Sequence, residues 1–98
     1  MMIEIKKSAE ETVVEIVGRL DTTTAPSLEK TINDDILGTT SLTLDLKGLE
    51  YISSAGLRVV LAAQKKMQQL GSMKVINVSE SVMDVFEITG FADILTIE

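Results

Sequence analysis

Cysteine, histidine and tryptophan are all absent from the 98 residues. Without cysteine there are no disulfides and no thiolate chemistry, and without histidine the commonest metal ligand and the usual general base are missing. One proline, one tyrosine and two phenylalanines leave almost nothing from which to build a stacking platform for bases or sugars, so the core must be aliphatic. Cations are also scarce: nine Lys and Arg stand against fifteen Asp and Glu, for a net charge of −6. The electrostatic footprint of a nucleic-acid binder is therefore missing, and no nucleic acid is expected as a partner. No uncharged apolar run approaches the ~18 residues that a membrane span needs. The opening Met1-Met2-Ile3-Glu4-Ile5-Lys6-Lys7 mixes charge into its first residues. The expectation is a soluble, unexported, cytoplasmic protein with no membrane insertion.

What remains is an aliphatic chain, 45% apolar, of a size that suits a single domain over 1–98 with one core. Ile3 to Lys6 and the β-branched Thr12-Val13-Val14-Glu15-Ile16-Val17 read as two strands of a hairpin across the polar turn Ser8 to Glu11. After Asp21-Thr22-Thr23-Thr24, a cluster of N-cap candidates, Pro26 falls in the first turn of a helix. Leu28, Ile32 and Ile36 or Leu37 line its inner face, and Gly38 follows. Ser41 to Leu46 alternates strictly, with Leu42, Leu44 and Leu46 on one face and Ser41, Thr43 and Asp45 on the other. One face of the sheet is thus expected to be better covered. A short turn then leads into Ser53-Ser54 and a helix from about Ala55 to Leu70, striped by Leu57, Val60, Leu61, Met67 and Leu70 and capped by Gly71. Met73 to Val78 is the next strand. Ser79 caps a short helix with Val82, Val85 and Phe86 inward, Gly90 ends it, and Ile94 to Ile97 is a last strand. Strand–helix–strand crossovers of this length favour parallel neighbours. The fold class is therefore α/β, a mixed four- to five-stranded sheet packed with three to four helices.

Two polar clusters hold the candidate chemistry. Ser53 and Ser54 stand where a helix begins, where free backbone N–H groups and the positive end of the macrodipole accommodate a negative group. Serine is also a preferred N-cap, and that structural role alone accounts for one hydroxyl. No Glu or Gln follows either serine at the third position, so a reciprocal capping box is absent. Phosphorylation there would add about −1.5 to −2 charges without requiring the fold to change. A hydrolytic serine would need a base and an oxyanion hole, which a chain without histidine is poorly equipped to supply, so no enzyme activity is expected. Asp21 to Thr24 exceeds what one helix cap requires. Both clusters follow the C-terminal ends of strands read as parallel, so they should open on one edge as a composite surface. Asp34-Asp35 lacks the spaced ligands of a calcium loop, and no Gly-rich phosphate loop occurs, so neither a metal nor a cofactor is implied.

Gly18-Arg19-Leu20-Asp21, Leu44-Asp45-Leu46 and Tyr51-Ile52-Ser53-Ser54-Ala55-Gly56-Leu57, in this order and spacing, closely resemble the STAS family of bacterial anti-sigma factor antagonists. The likeness covers essentially the whole chain. It implies a small STAS-type domain acting in partner switching. The unmodified protein binds an anti-sigma factor that is also a serine kinase and thereby frees a sigma factor. Phosphorylation of a serine at the helix start ends the binding, and a serine phosphatase restores it. The family's acceptor lies two residues before the glycine that opens the helix, which is Ser54 here, with Ser53 as the adjacent alternative. The implied partner-facing set is Asp21, Thr22, Thr23 and Thr24 with Ser53, Ala55, Gly56 and Arg58. Gly56 would let the backbone approach the partner closely. STAS-like domains also serve as non-switching accessory subunits of transporters and as stressosome-type scaffolds, and these form the alternative reading. Oligomeric state is left open.

Overall fold

The computed structural model describes residues 1–36 and 38–98. Leu37, the alternative to Ile36 on the inner face of the first helix, lies outside the described residues. The elements run β1 (Met2–Ser8), β2 (Glu11–Leu20), α1 (Ala25–Asp35), β3 (Ser41–Ile52), α2 (Ser54–Leu70), β4 (Ser72–Ile76) and α3 (Glu80–Thr89), followed by a 3-10 turn at Phe91–Asp93. The sheet order is β1-β2-β3-β4. β1 pairs antiparallel with β2, while β2 with β3 and β3 with β4 are parallel.

Cross-strand rows explain the alternation. Ile5, Val14, Leu44 and Val75 lie in one row, and Leu42 is beside Met73. Val14, Leu42, Leu44, Leu46 and Val75 are fully buried, as is Ile16. Each such burial stabilises by about 1.5–3 kcal/mol. The opposite rows, Glu4-Glu15-Asp45-Ile76 and Lys6-Val13-Thr43-Lys74, are mostly exposed or half-buried, although Thr43 is buried. Helix α2 packs on α1, β3 and β4 at once, so its buried face is wider than a narrow stripe. Val59, Ala63 and Gln64 join Leu57, Val60 and Met67 there, while Leu70 in the last turn is 49% exposed.

Several strand limits differ from the sequence reading. β2 passes through Gly18, whose φ of +102° glycine accepts without strain, and ends at Leu20. β3 does not turn after Leu46. It runs on to Ile52 with register shifts opposite Glu15/Val17 and Gly18/Arg19, each placing an extra residue on β3. β4 stops at Ile76 because Asn77 adopts φ +56°, a left-handed conformation that asparagine tolerates. The expected last strand contracts to one parallel bridge, Ile97 to Val75, held by Val75 N–H on Thr96 O at 2.8 Å and Glu98 N–H on Val75 O at 2.9 Å. Ile94 and Leu95 instead continue the 3-10 turn, their N–H groups bonded to Phe91 O at 3.0 and 2.9 Å, so this end of the expected strand is not extended.

Candidate functional site: two helix starts on one sheet edge

Leu20 and Ile52 are register partners at the ends of parallel strands, so the segments after them leave the sheet on the same edge. A backbone hydrogen bond from Ser53 N–H to Leu20 O, 2.8 Å, joins them directly. The predicted composite surface is thus joined by the backbone: the ladder itself extends one residue into the second loop.

The first loop is closed on itself around Asp21. One carboxylate oxygen, Oδ1, accepts from Thr23 N–H at 3.0 Å, Thr24 N–H at 3.1 Å and the Thr23 hydroxyl at 2.7 Å. The Asp21 carbonyl takes Ala25 N–H at 2.8 Å. Thr24 Oγ1 accepts from Asp21 N–H at 2.8 Å and donates to Arg19 O at 2.9 Å. Thr24 is the N-cap by position, yet its side chain caps nothing; Asp21 performs that task from three residues back. The Thr23 hydroxyl, with the Thr24 contacts and the Thr23 amide behind it, holds the Asp21 carboxyl below its ordinary value, against an opposing contribution from partial burial. The result is a fixed anion with Oδ2 turned to no protein donor among the described residues. Thr22 and Thr23 are exposed beside it.

The second loop divides its two serines. Ser53 is the N-cap, extended at φ −95° and ψ 174°, and its Oγ accepts from Gly56 N–H at 3.3 Å. Ser54, the first residue of α2, is exposed, and its hydroxyl takes part in no hydrogen bond among the described residues. Ala55 is half-buried and Arg58 exposed. Gly56 corrects one expectation. It is buried, and a Cβ there would lie 2.7 Å from Leu20 Cγ and 3.0 Å from Ile52 Cγ1. The missing side chain makes room for the protein's own core, not for close approach to a partner.

The structure brings Thr22, Ala55 and Arg58 to one groove of about 180 Å³ between α1 and α2, together with Ala25, Pro26, Glu29 and Val59. A second hollow of about 100 Å³ shares Glu29 and Val59 and continues between the helices to Asn33 and Lys66. On the side of the sheet away from the core, Arg19 stacks on the Tyr51 ring with its guanidinium carbon 4.3 Å from the centroid. Such a contact is worth about 0.5–1 kcal/mol at an exposed site. Sequence reasoning missed this pair and Glu29. Arg19 and Tyr51 are register partners only because of the extra residue on β3, so nothing short of the strand register would reveal them.

Comparison with known proteins follows the same outline. The STAS domain family matches residues 2–98. The anti-sigma-B factor antagonist of Bacillus subtilis is 32% identical over 96 residues, covering 97% of this chain and 88% of the relative. The anti-sigma factor antagonist SpoIIAA in its unphosphorylated form superposes with a TM-score of 0.85 at 20% identity, over 99% of this chain and 88% of that one. The Bacillus cell fate determinant SpoIIAA in its phosphorylated form gives 0.78 at 19% identity, over 99% and 91%. At these identities the structural likeness speaks for the fold.

Proposed function

Since the chain belongs to the STAS domain family, we propose that it is an anti-sigma factor antagonist whose binding is switched by phosphorylation of Ser54. The observation that carries the reading is the division of labour between the serines. Ser53 is occupied in capping α2, whereas Ser54 is exposed with an uncommitted hydroxyl at the first helical position. Names of relatives point the same way, since the Bacillus subtilis relative is an anti-sigma-B factor antagonist and SpoIIAA has a phosphorylated and an unphosphorylated form.

In the unmodified state the partner, an anti-sigma factor that is also a serine kinase, meets Asp21, Thr22 and Thr23 on one side and Ala55 and Arg58 on the other. Asp21 offers an anion held in place before the partner arrives, so little ordering cost falls on binding. A cation on the partner is the complementary group. The kinase then transfers the γ-phosphoryl of ATP to Ser54 Oγ, which gives up its proton as ADP leaves. Free N–H groups at the start of α2 and the helix macrodipole stabilise the new anion. The domain keeps its fold while the partner faces repulsion and desolvation, and a serine phosphatase reverses the step. No step uses this chain as a catalyst. The reading takes residues 1–98 as one domain acting in the cytoplasm, supported by the single buried cluster from Val14 to Leu95 and by the absence, among the described residues, of a helix long and apolar enough to cross a membrane.

The test is intact mass and fragment sequencing of wild type, Ser54→Ala and Ser53→Ala after incubation with ATP and cytosol of the source cells. One phosphate on wild type and Ser53→Ala, none on Ser54→Ala, is the expected pattern. Phosphate on Ser53, or none on any protein while a control substrate is modified, overturns the assignment and favours a non-switching accessory module.

A further inference from the structure

Arg58, so far only a partner-facing residue, also has a position and a chemistry that bear on a phosphate at Ser54. It lies four residues after Ser54 on α2, and residues at that spacing share a helix face with Cβ atoms about 5–6 Å apart. Helical side chains lean toward the N-terminus, so the turn that begins at Ser54 is within reach of the long Arg58 side chain. Both residues are exposed. Arg58 belongs to neither ion pair found among the described residues, Lys7 with Asp35 and Lys74 with Glu98. It is also the first cation along α2; the next are Lys65 and Lys66, and Lys66 already donates to Asn33 Oδ1 across the α1–α2 gap. Arg58 borders the groove opposite Glu29, with Thr22 and Ala55 beside it. In the unmodified protein its guanidinium is therefore available to a partner at the centre of the proposed surface.

We propose that Arg58 clamps a phosphate on Ser54 from within the same helix, so that phosphorylation withdraws a cation from the surface at the same time as it adds an anion. The inference rests on Ser54 as the acceptor. An anion placed four residues N-terminal to a cation is the favourable order on a helix. A guanidinium can donate two parallel hydrogen bonds to phosphate oxygens, which an ammonium cannot. The switch then has two components. One is the new charge, which any acceptor at a helix start would bring. The other is the loss of Arg58 as a contact, which is specific to a chain with arginine at this position. A phosphate held in this way is also partly covered, which slows its removal by a phosphatase.

The test uses protein with phosphoserine encoded directly at position 54, so that it does not depend on any kinase acting on Ser54. The Arg58 Nε–Hε NMR signal is compared between phosphoserine and serine forms, and the second phosphate ionisation is followed by phosphorus NMR in wild type, Arg58→Lys and Arg58→Gln. The expected result is a displaced, slower-exchanging Arg58 signal in the phosphorylated protein. The phosphate pKa is expected to rise by about 0.3 unit or more in Arg58→Gln, with Arg58→Lys between. Glu29, the carboxylate that lines the same groove as Arg58, is kept in all three proteins. Coincident Arg58 signals, or an unchanged phosphate pKa, overturn the clamp. Mass spectrometry showing that cells do not modify Ser54 overturns the switch instead, and the two failures are separate. Arg58 is exposed, so its variants should keep the far-ultraviolet spectrum of wild type.

Discussion

The loops around Asp21 and Ser54 occupy equivalent positions, each leaving the end of a parallel strand and entering a helix, yet they are finished in opposite ways. At Asp21 three donors from Thr23 and Thr24 converge on one carboxylate oxygen, and the hydroxyls of both threonines are engaged. At Ser54 the capping work is done by the preceding residue, and the hydroxyl is left over. A fixed anion and a free hydroxyl, tied together through Ser53 N–H and Leu20 O, make one surface with a constant half and, on the proposed reading, a variable half. The constant half has a defined shape before a partner arrives. On the proposed reading, the variable half changes charge without disturbing it.

That contrast can be broken most severely at its shared support. Gly56→Ala forces a methyl against Leu20 Cγ and Ile52 Cγ1, closer than carbon atoms approach. We expect it to lower stability by about 1–3 kcal/mol, measured by urea unfolding, and to perturb amide signals in both loops. Ser53→Ala removes only the cap of α2. It should cost about 1 kcal/mol in the same measurement while leaving Ser54 open to modification. Asp21→Asn keeps an acceptor of the same shape but removes the charge. The fold should persist by circular dichroism, and affinity for the anti-sigma partner should fall in a salt-dependent way by calorimetry. The smallest effect concerns pH. Because the folded pKa of Asp21 is lowered, its ionised form favours the folded state. That contribution is complete above the ordinary carboxylate value of 3.8 and is lost as the pH falls through the lower folded value. The Thr23 and Thr24 amide signals should report this loss together in an acid titration followed by NMR.

Much of the fold is legible in local patterns. Pro26, Leu28 and Ile32 mark α1, and the leucines of β3 fall on one face as their alternation requires. Patterns fail where pairing decides. Gly18 looks like a strand end, but the ladder carries β2 through it to Leu20, and β3 absorbs two extra residues to remain paired with β2 as far as Ile52. Ile94 to Ile97 has strand-like residues but reaches the sheet with one bridge. The site divides in the same way. Both polar clusters and their common edge follow from element order alone. Which serine caps and which is free depends on a 3.3 Å contact to Gly56 N–H, and the burial of Gly56 depends on Leu20, 36 residues earlier in the chain. The Arg19–Tyr51 stack likewise needs the register shift to exist.

The central claim is that charge at Ser54 changes binding while the domain stays intact. The direct measurement takes protein with serine and with encoded phosphoserine at position 54, records thermal unfolding by circular dichroism, and titrates both into the same anti-sigma partner. The account predicts superimposable spectra, melting temperatures within a few degrees, and at least about tenfold weaker binding of the phosphorylated form, about 1.4 kcal/mol. Equal affinities, or weakened binding that appears only with loss of helical signal, would contradict it.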